Sequence, residues 1–426
     1  MRSYIFYAFF FEFFLAALLS FHPAATADDA TADSATADSA KHSLTLEELR
    51  QHALVHSEAV KRISSTLSEK VAESLAIEQL QNPQLQGSFG VPTSYGTVRP
   101  EEQLQLTLSQ SLRASDFGTR TELSKLIRSV ASREQQMQLQ AYFAKLTISY
   151  NALWAFQIEE KHLKEQLAWG EKVVRLLSEA EALGRFSLPQ KQMAEASVEK
   201  TRAELLGLAH SQAVERSRLT RLSGKIIEHT NLEKVQLRTL PELSVIWREL
   251  EQNESSLLKR YQLWHQLNQE QLHLAKQDRF SAFQPQIGYT RNEDGDHFVG
   301  VGFSVALPLF QRNEADIGQR RAQLDASQAT LSYLRSNEFK EEFRLLVEGV
   351  TAKIKQAETY ERTVVPGLKK VLESSEDLFK NGQLTLLELW KAKTEYHDAQ
   401  DESMAVWGEA LALHVELAAL CGWSYF

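Results

Sequence analysis

The sequence predicts a mainly α-helical protein with a small β part, the whole plan written twice along the chain. Three observations carry that expectation. Residues 119–169 contain neither glycine nor proline, and within them Leu139, Phe143, Leu146, Tyr150 and Leu153 step by four and three, the spacing of a helix seam. The stretch EEQLQLTLSQSL (101–112) alternates instead. Leu104, Leu106, Leu108 and Leu112 fall on one face, and Gln103, Gln105, Thr107, Ser109 and Ser111 on the other, as in a strand. Third, short motifs recur in the same order about 200 positions apart.

Taken in chain order, Arg2 precedes an aromatic and aliphatic run from Tyr4 to Phe21, and Ala25-Thr26-Ala27 supplies a small-residue cleavage site. Residues 1–27 therefore read as a secretory signal peptide. Glu12 interrupts the apolar run, which leaves an uncleaved N-terminal anchor as the alternative. Residues 28–43 open on DDATADSATADSA, too small and polar to pack, and are expected to be a flexible leader. A first repeat is expected over 44–223: a helix, a strand pair at 83–91 and 101–112, a long helix from about 116 to 183, a tip at 183–189 and a return helix. A connection over 224–241 holds Gly224 and Pro241. A second repeat over 242–426 runs through a helix, strands at 285–291 and 297–309, a second rod from about 313 to 381 with a weak point at Pro366-Gly367, a tip at 381–386 and a return helix.

The echoes tie the halves together. NPQLQGSFG (82–90) is answered by QPQIGYTRN (284–292), and the leucine strand by HFVGVGFSVALPLF (297–310). In the latter Val299, Val301, Phe303, Val305, Leu307 and Leu309 alternate with Gly300, Gly302, Ser304 and Ala306. ALGRFSLPQKQMAEA (182–196) is answered by KNGQLTLLELWKAKT (380–394), with Gly184 over Gly382 and Leu188 over Leu386.

Composition excludes several classes. A formal net charge of -9 among 426 residues leaves no basic face for a nucleic acid. The one cysteine, Cys421, allows no intramolecular disulfide, and no cysteine stands at the cleavage site to carry a lipid. His52 and His56 are spaced i, i+4 on a helix, a spacing that can hold zinc, but two ligands are too few for a closed site. No G-x-S-x-G, Walker A or dinucleotide fingerprint occurs, so neither an enzyme nor a cofactor is expected.

Four strands in two hairpins pose a packing problem. Their alternation fits an antiparallel sheet resting on a soluble core, yet the neighbouring helices are committed to long seams. A leucine-rich face with nothing over it points to lipid, with Leu104, Leu106, Leu108, Val301, Phe303 and Val305 facing outward. In hydrocarbon each unpaired backbone group costs several kcal/mol, so an open-edged sheet is untenable and must close. Membrane barrels need at least about 8 strands. Two copies would just close one, and three would leave room for a watery lumen.

These residues resemble the outer-membrane efflux protein family, the TolC-like channels of Gram-negative bacteria. The resemblance spans the mature chain and rests on LTLEELRQHAL (44–54), PQLQGSF, PQIGYT, VGVGFSVALPLF, NGQLTLLELWKAK (381–393) and the closing LAALCG. It implies a homotrimer whose shared barrel sits in outer-membrane lipid. A helical tunnel would continue through the periplasm and dock onto a periplasmic adaptor joined to an inner-membrane transporter. It places adaptor contacts at Gly184, Arg185, Ser187 and Leu188 in the first tip and at Gly382, Gln383, Thr385 and Leu386 in the second. A gate falls at Glu388, where members carry a carboxylate, and at Lys391, where this chain departs from that pattern. The compact length and the LLELWKA segment point to the heavy-metal cation branch, such as cobalt-zinc-cadmium export. The competing readings are a periplasmic coiled-coil scaffold, the channel of a protein secretion system, and a pump adaptor; two long hairpins with few strands disfavour the last.

Overall fold

The computed structural model describes residues 43–90, 103–182, 188–228, 231–237, 239–280, 282–291, 296–310 and 312–423. The signal-peptide expectation over 1–27 and the leader expectation over 28–43, save Ser43, lie outside the described residues, as do 91–102 and 292–295 between the paired strands. The first half opens on α1 (Leu46–His56) and α2 (Glu58–Glu78), parted by a single extended residue, Ser57. Helix α1 starts at Thr45 because that side chain accepts from the Glu48 amide while Glu48 accepts from the Thr45 amide, each at 3.2 Å. Strands β1 (Gln84–Gly90) and β2 (Gln103–Ser109) follow. The outgoing helix α3 (Thr119–Ala182) is unbroken for 64 residues, roughly 96 Å at about 1.5 Å per residue. Gly170 does not interrupt it. A Cβ there would meet the Val198 side chain at 2.9 Å, so the glycine lets the return helix α4 (Leu188–Ser223) lie close against α3.

The second half repeats the order. Helices α5 (Leu243–Gln252) and α6 (Leu257–Gln277) lead to β3 (Phe283–Arg291) and β4 (His297–Val305). The outgoing arm differs from the single rod expected. It comprises α7 (Glu314–Leu334), α8 (Asn337–Thr359), a π turn over Tyr360–Val364 and α9 (Val365–Lys380). At the first break Ser336 turns extended and caps α8, accepting from the Phe339 amide at 3.2 Å. At the second, Pro366 has no amide proton, and its ring would press on the carbonyl four residues back. The wider π turn just before it relieves that contact without ending the helix. The return helix α10 (Leu386–Cys421) completes the hairpin.

All four strands form one antiparallel sheet in the order β1-β2-β3-β4, so the two hairpins are joined along β2 and β3. The fold class predicted from sequence, long helical hairpins in duplicate with a small four-stranded sheet, is thus the one found. The two largest core clusters lie away from the sheet, at the opposite end of α10 from its tip. Val406, Trp407, Ala410 and Leu417 join Ile246, Leu250, Phe343 and Val350; Leu411, Val415 and Ala418 join Leu49, Leu146, Tyr150 and Leu219. Helix α10 is long and apolar enough by composition to cross a membrane, but its apolar residues are the ones divided between these clusters.

The two return helices end alike. Gly224 and Gly422 take left-handed conformations, φ +69° and +71°, and each abuts the break between its half's opening helices. A Cβ on Gly422 would stand 2.4 Å from the Ser255 carbonyl oxygen, and one on Gly224 3.3 Å from the His56 carbonyl carbon. The stretch just before α1 is tied in at the same level. Leu44 bridges to Leu232, and the buried Tyr150 hydroxyl donates to the Leu44 carbonyl at 2.7 Å and accepts from the Glu233 amide at 2.9 Å. Burial pushes that phenol's pKa well up, which keeps it a donor.

Candidate functional site: sheet faces, open edges and hairpin tips

Directly opposed residues of antiparallel strands project to the same side, so the register sorts the sheet into two faces. One row runs Leu85, Leu108, Ile287, Val301; the next Gly87, Leu106, Tyr289, Val299; the next Phe89, Leu104, Arg291, His297. Phe303 and Val305 extend that face opposite Pro285 and Phe283. The reverse face reads Gln84, Ser109, Gln286, Gly302, then Gln86, Thr107, Gly288, Gly300, then Ser88, Gln105, Thr290, Phe298. The sequence-predicted outward residues of both hairpins therefore share one face. Phe298 is the single large apolar side chain among these polar rows.

Among the described residues no helix covers either face: every residue of β1 and β4 is exposed, with Val301 86% and Phe303 70% accessible. Among the described residues, then, the sheet does not rest on a core. Both outer strands also leave one row of backbone groups unpaired along the sheet edge. With 7 and 9 residues in those strands, about half their groups point outward. In hydrocarbon, roughly 15 orphans at several kcal/mol each would cost tens of kcal/mol.

The second tip is built from two capping motifs back to back. Helix α9 closes in a Schellman arrangement: Gly382 is left-handed at φ +72°, its amide donates to the Phe379 carbonyl at 3.0 Å, and the Gln383 amide donates to Leu378 at 2.9 Å. Three residues on, Thr385 caps α10. Its hydroxyl accepts from the Glu388 amide at 3.3 Å, and Glu388 Oε2 accepts from the Thr385 hydroxyl at 2.7 Å and from its amide at 2.9 Å. Those bonds, hydroxyl first, hold the Glu388 carboxyl below the usual carboxylate range. Lys391, one turn further, lies 3.9 Å from Glu395 on the same exposed stripe. Leu386 turns inward, packing with Trp390 and Trp169 against Val173, Leu177 and Ala194, so the second tip is fastened to the first hairpin. In the first tip Gly184, Arg185 and Ser187 lie outside the described residues, and Leu188 opens α4.

A polar seam between the hairpins was not foreseen. His162 of α3 meets the Gln400 amide of α10 at 3.1 Å, and that amide donates to the Tyr396 hydroxyl at 3.0 Å. Beside it His397 is buried, and burial, then the Lys393 and His162 charges, push its imidazole down to about 4. Polar residues set mid-helix carry no period that would have flagged the seam.

No protein-family model matches the chain, and no curated protein matches it. Solved structures do. VceC, an outer membrane protein of Vibrio cholerae, superposes with a TM-score of 0.70 at 17% identity over 89% of this chain and 97% of that one. The CmeC outer membrane channel of Campylobacter jejuni gives 0.68 at 12% identity over 94% of both chains. CusC, solved for its folding and transmembrane channel formation, gives 0.71 at 15% identity over 89% of this chain and 92% of that one. Each of these relatives is a membrane or channel protein, and none is described as an enzyme. At such identities the likeness establishes architecture, and this chain has the fold of the TolC-like outer-membrane channels.

Proposed function

We propose that the chain is the outer-membrane channel of a tripartite efflux pump, a passive duct that performs no chemistry of its own. The observation that carries this reading is the sheet: one apolar face, one polar face, and two edges that a single copy leaves open. Three copies, β4 of one pairing with β1 of the next, supply the 12 strands of a closed barrel. Leu104, Leu106, Leu108, Val301, Phe303 and Val305 then meet lipid, while glutamine, threonine and serine side chains line water. The helical hairpins continue the duct through the periplasm of a Gram-negative cell.

The tips are the docking surface for a periplasmic adaptor, itself joined to an inner-membrane transporter that supplies the energy. Gly184, Arg185, Ser187 and Leu188 serve in one tip and Gly382, Gln383, Thr385 and Leu386 in the other. A ring of three Glu388 carboxylates at the tunnel mouth favours cations, and Lys391 mutes that field. The cargo we assign is a heavy-metal cation, on the strength of the compact chain and its LLELWKA segment. Cell fractionation tests the whole reading: the native chain should remain in outer membranes through high-salt washing and run as a trimer. A monomer released to the soluble periplasmic fraction would overturn it. Cargo is tested by growth of a deletion strain, which should lose tolerance to zinc, cobalt or cadmium and keep tolerance to organic drugs.

A further inference from the structure

His52 and His56 occupy successive turns of α1, and their ring centres lie 4.3 Å apart with the planes inclined at 31°. The Nδ1 of His52 sits 2.9 Å from the carbonyl of Ser223, the last residue of α4. A carbonyl can only accept, so Nδ1 carries the proton and Nε2 keeps its lone pair. Metal-binding histidines use this arrangement: a backbone carbonyl on one ring nitrogen fixes the tautomer and makes the other nitrogen a better ligand.

The platform under the pair is stiff. Ala53, between them on the helix, is fully buried, the Ser57 hydroxyl just beyond donates to the Tyr142 oxygen at 2.7 Å, and Gly224 rests against the His56 backbone. Tyr142 also donates to the Leu222 carbonyl, so the end of α1 and the end of α4 are pinned to the same phenol. Two imidazole nitrogens on one ion at about 2.0–2.1 Å each must lie within about 4 Å of one another. Rings this close on successive turns meet that condition by side-chain rotation alone.

We propose that His52 and His56 form a two-imidazole site for a borderline divalent cation, Cu2+ foremost, with Zn2+ and Ni2+ in the same class. Among the described residues no third His, Cys, Asp or Glu side chain completes a cluster, so water fills the remaining positions. That favours the tetragonal geometry of Cu2+ over a closed tetrahedral zinc site, and imidazole donors disfavour Mg2+ and Ca2+. The site is independent of the channel reading, because both ligands and the carbonyl behind them belong to the helical part of one chain.

The competing explanation is that His52 merely caps the carbonyl end of α4. The two are separated by variants of the full-length, untagged protein, titrated with CuCl2 by calorimetry and followed by the nitrogen hyperfine pattern of bound Cu2+. His56→Ala leaves the His52–Ser223 bond in place. It should abolish one equivalent of Cu2+ binding, or weaken it more than about tenfold, since loss of even an outer partner of a ligand costs about 10–100-fold. Its thermal midpoint without metal should stay that of the native chain. His52→Ala should lose the same equivalent, whereas His273→Ala, at an exposed histidine on α6, should keep it. Retention of that equivalent in the His52→Ala/His56→Ala double variant, or a single-nitrogen Cu2+ signal in the native protein, would overturn the assignment.

Discussion

In the first repeat the outgoing arm α3 runs 64 residues without interruption, whereas in the second the same path is divided among α7, α8, a π turn and α9. Among the described residues the plan around those arms matches. Both return helices have 36 residues, each half gives two strands to the sheet, and each closes on a left-handed glycine set into a helix break. A duplicated plan with one stiff arm and one jointed arm separates two tasks. The first hairpin can act as a fixed strut while the second bends at Arg335–Ser336 and at the π turn. The jointed arm is the one that leads to Gly382 and Glu388.

The largest test asks whether the two repeats are equal where they share the sheet. Leu108 and Val301 come from different repeats and lie in one row with Ile287 between them. Leu108→Arg and Val301→Arg should therefore fail equally, each costing about 2–4 kcal/mol at mid-membrane depth and abolishing trimer assembly on native gels. Gln105→Arg, on the polar face, should assemble normally. A trimer that tolerated Val301→Arg but not Leu108→Arg would mean that the strands of the second repeat do not meet lipid.

A smaller contrast sits at the closing glycines. Any L-residue held left-handed costs about 1–2 kcal/mol, so Gly224→Ala should lose that much and little more, its neighbour being 3.3 Å away. At Gly422 the added carbon meets backbone at 2.4 Å, and an overpacking cost of about 1–3 kcal/mol adds to the first. Urea unfolding should place Gly422→Ala about 3 kcal/mol below the native chain. Equal losses at the two sites would show that the second repeat yields at this joint as readily as the first.

Much of this was legible before any coordinates. The seam of α3 and the alternation of β2 gave themselves away by period, and the turn between α9 and α10 by Gly382, because each is a local pattern with a local cause. The joints of the second arm were less so. Pro366-Gly367 marked a weak point, but the π turn forms one turn earlier, where the carbonyl facing the proline ring must move. Ser336 looked like any polar residue on a rod, since its capping role needs the chain already bent. The capping role of Glu388 is visible only as a spacing: its carboxylate caps α10 three residues after Thr385, a spacing that also occurs as Ser187 to Gln190 in the first tip. The polar seam could not be seen at all, because burial of His397 depends on α3 and α10 lying side by side.

That seam offers the finest discrimination between the repeats. At the position of the first return helix that echoes His397 stands Glu199, exposed and paired with Arg202 at 2.6 Å, so acid should act on the second hairpin and spare the first. The imidazole of His397 is pushed down to about 4 from 6.5, so the folded chain refuses a proton that the unfolded chain accepts. The stability it contributes is complete above about pH 6.5 and is lost as pH falls towards 4. Asp401, one turn on, opposes this. Burial, then the Glu159 and Asp398 charges, push its carboxyl up to about 6, so the folded chain gains relative stability as acid protonates it. Asp401 reaches solvent while His397 is 6% exposed, so screening weakens the aspartate and histidine prevails. Between pH 7.5 and 5.0 the native chain should lose about 1–2 kcal/mol by urea titration, a fraction of the full linkage for a shift of this size. His397→Gln keeps a polar side chain without the titration and should flatten or reverse that slope, and hydrogen exchange should place the native acid response in α10 with α4 unchanged. An acid slope that survives His397→Gln, or a response equal in both return helices, would mean that the asymmetry of the two hairpins does not extend to their protonation.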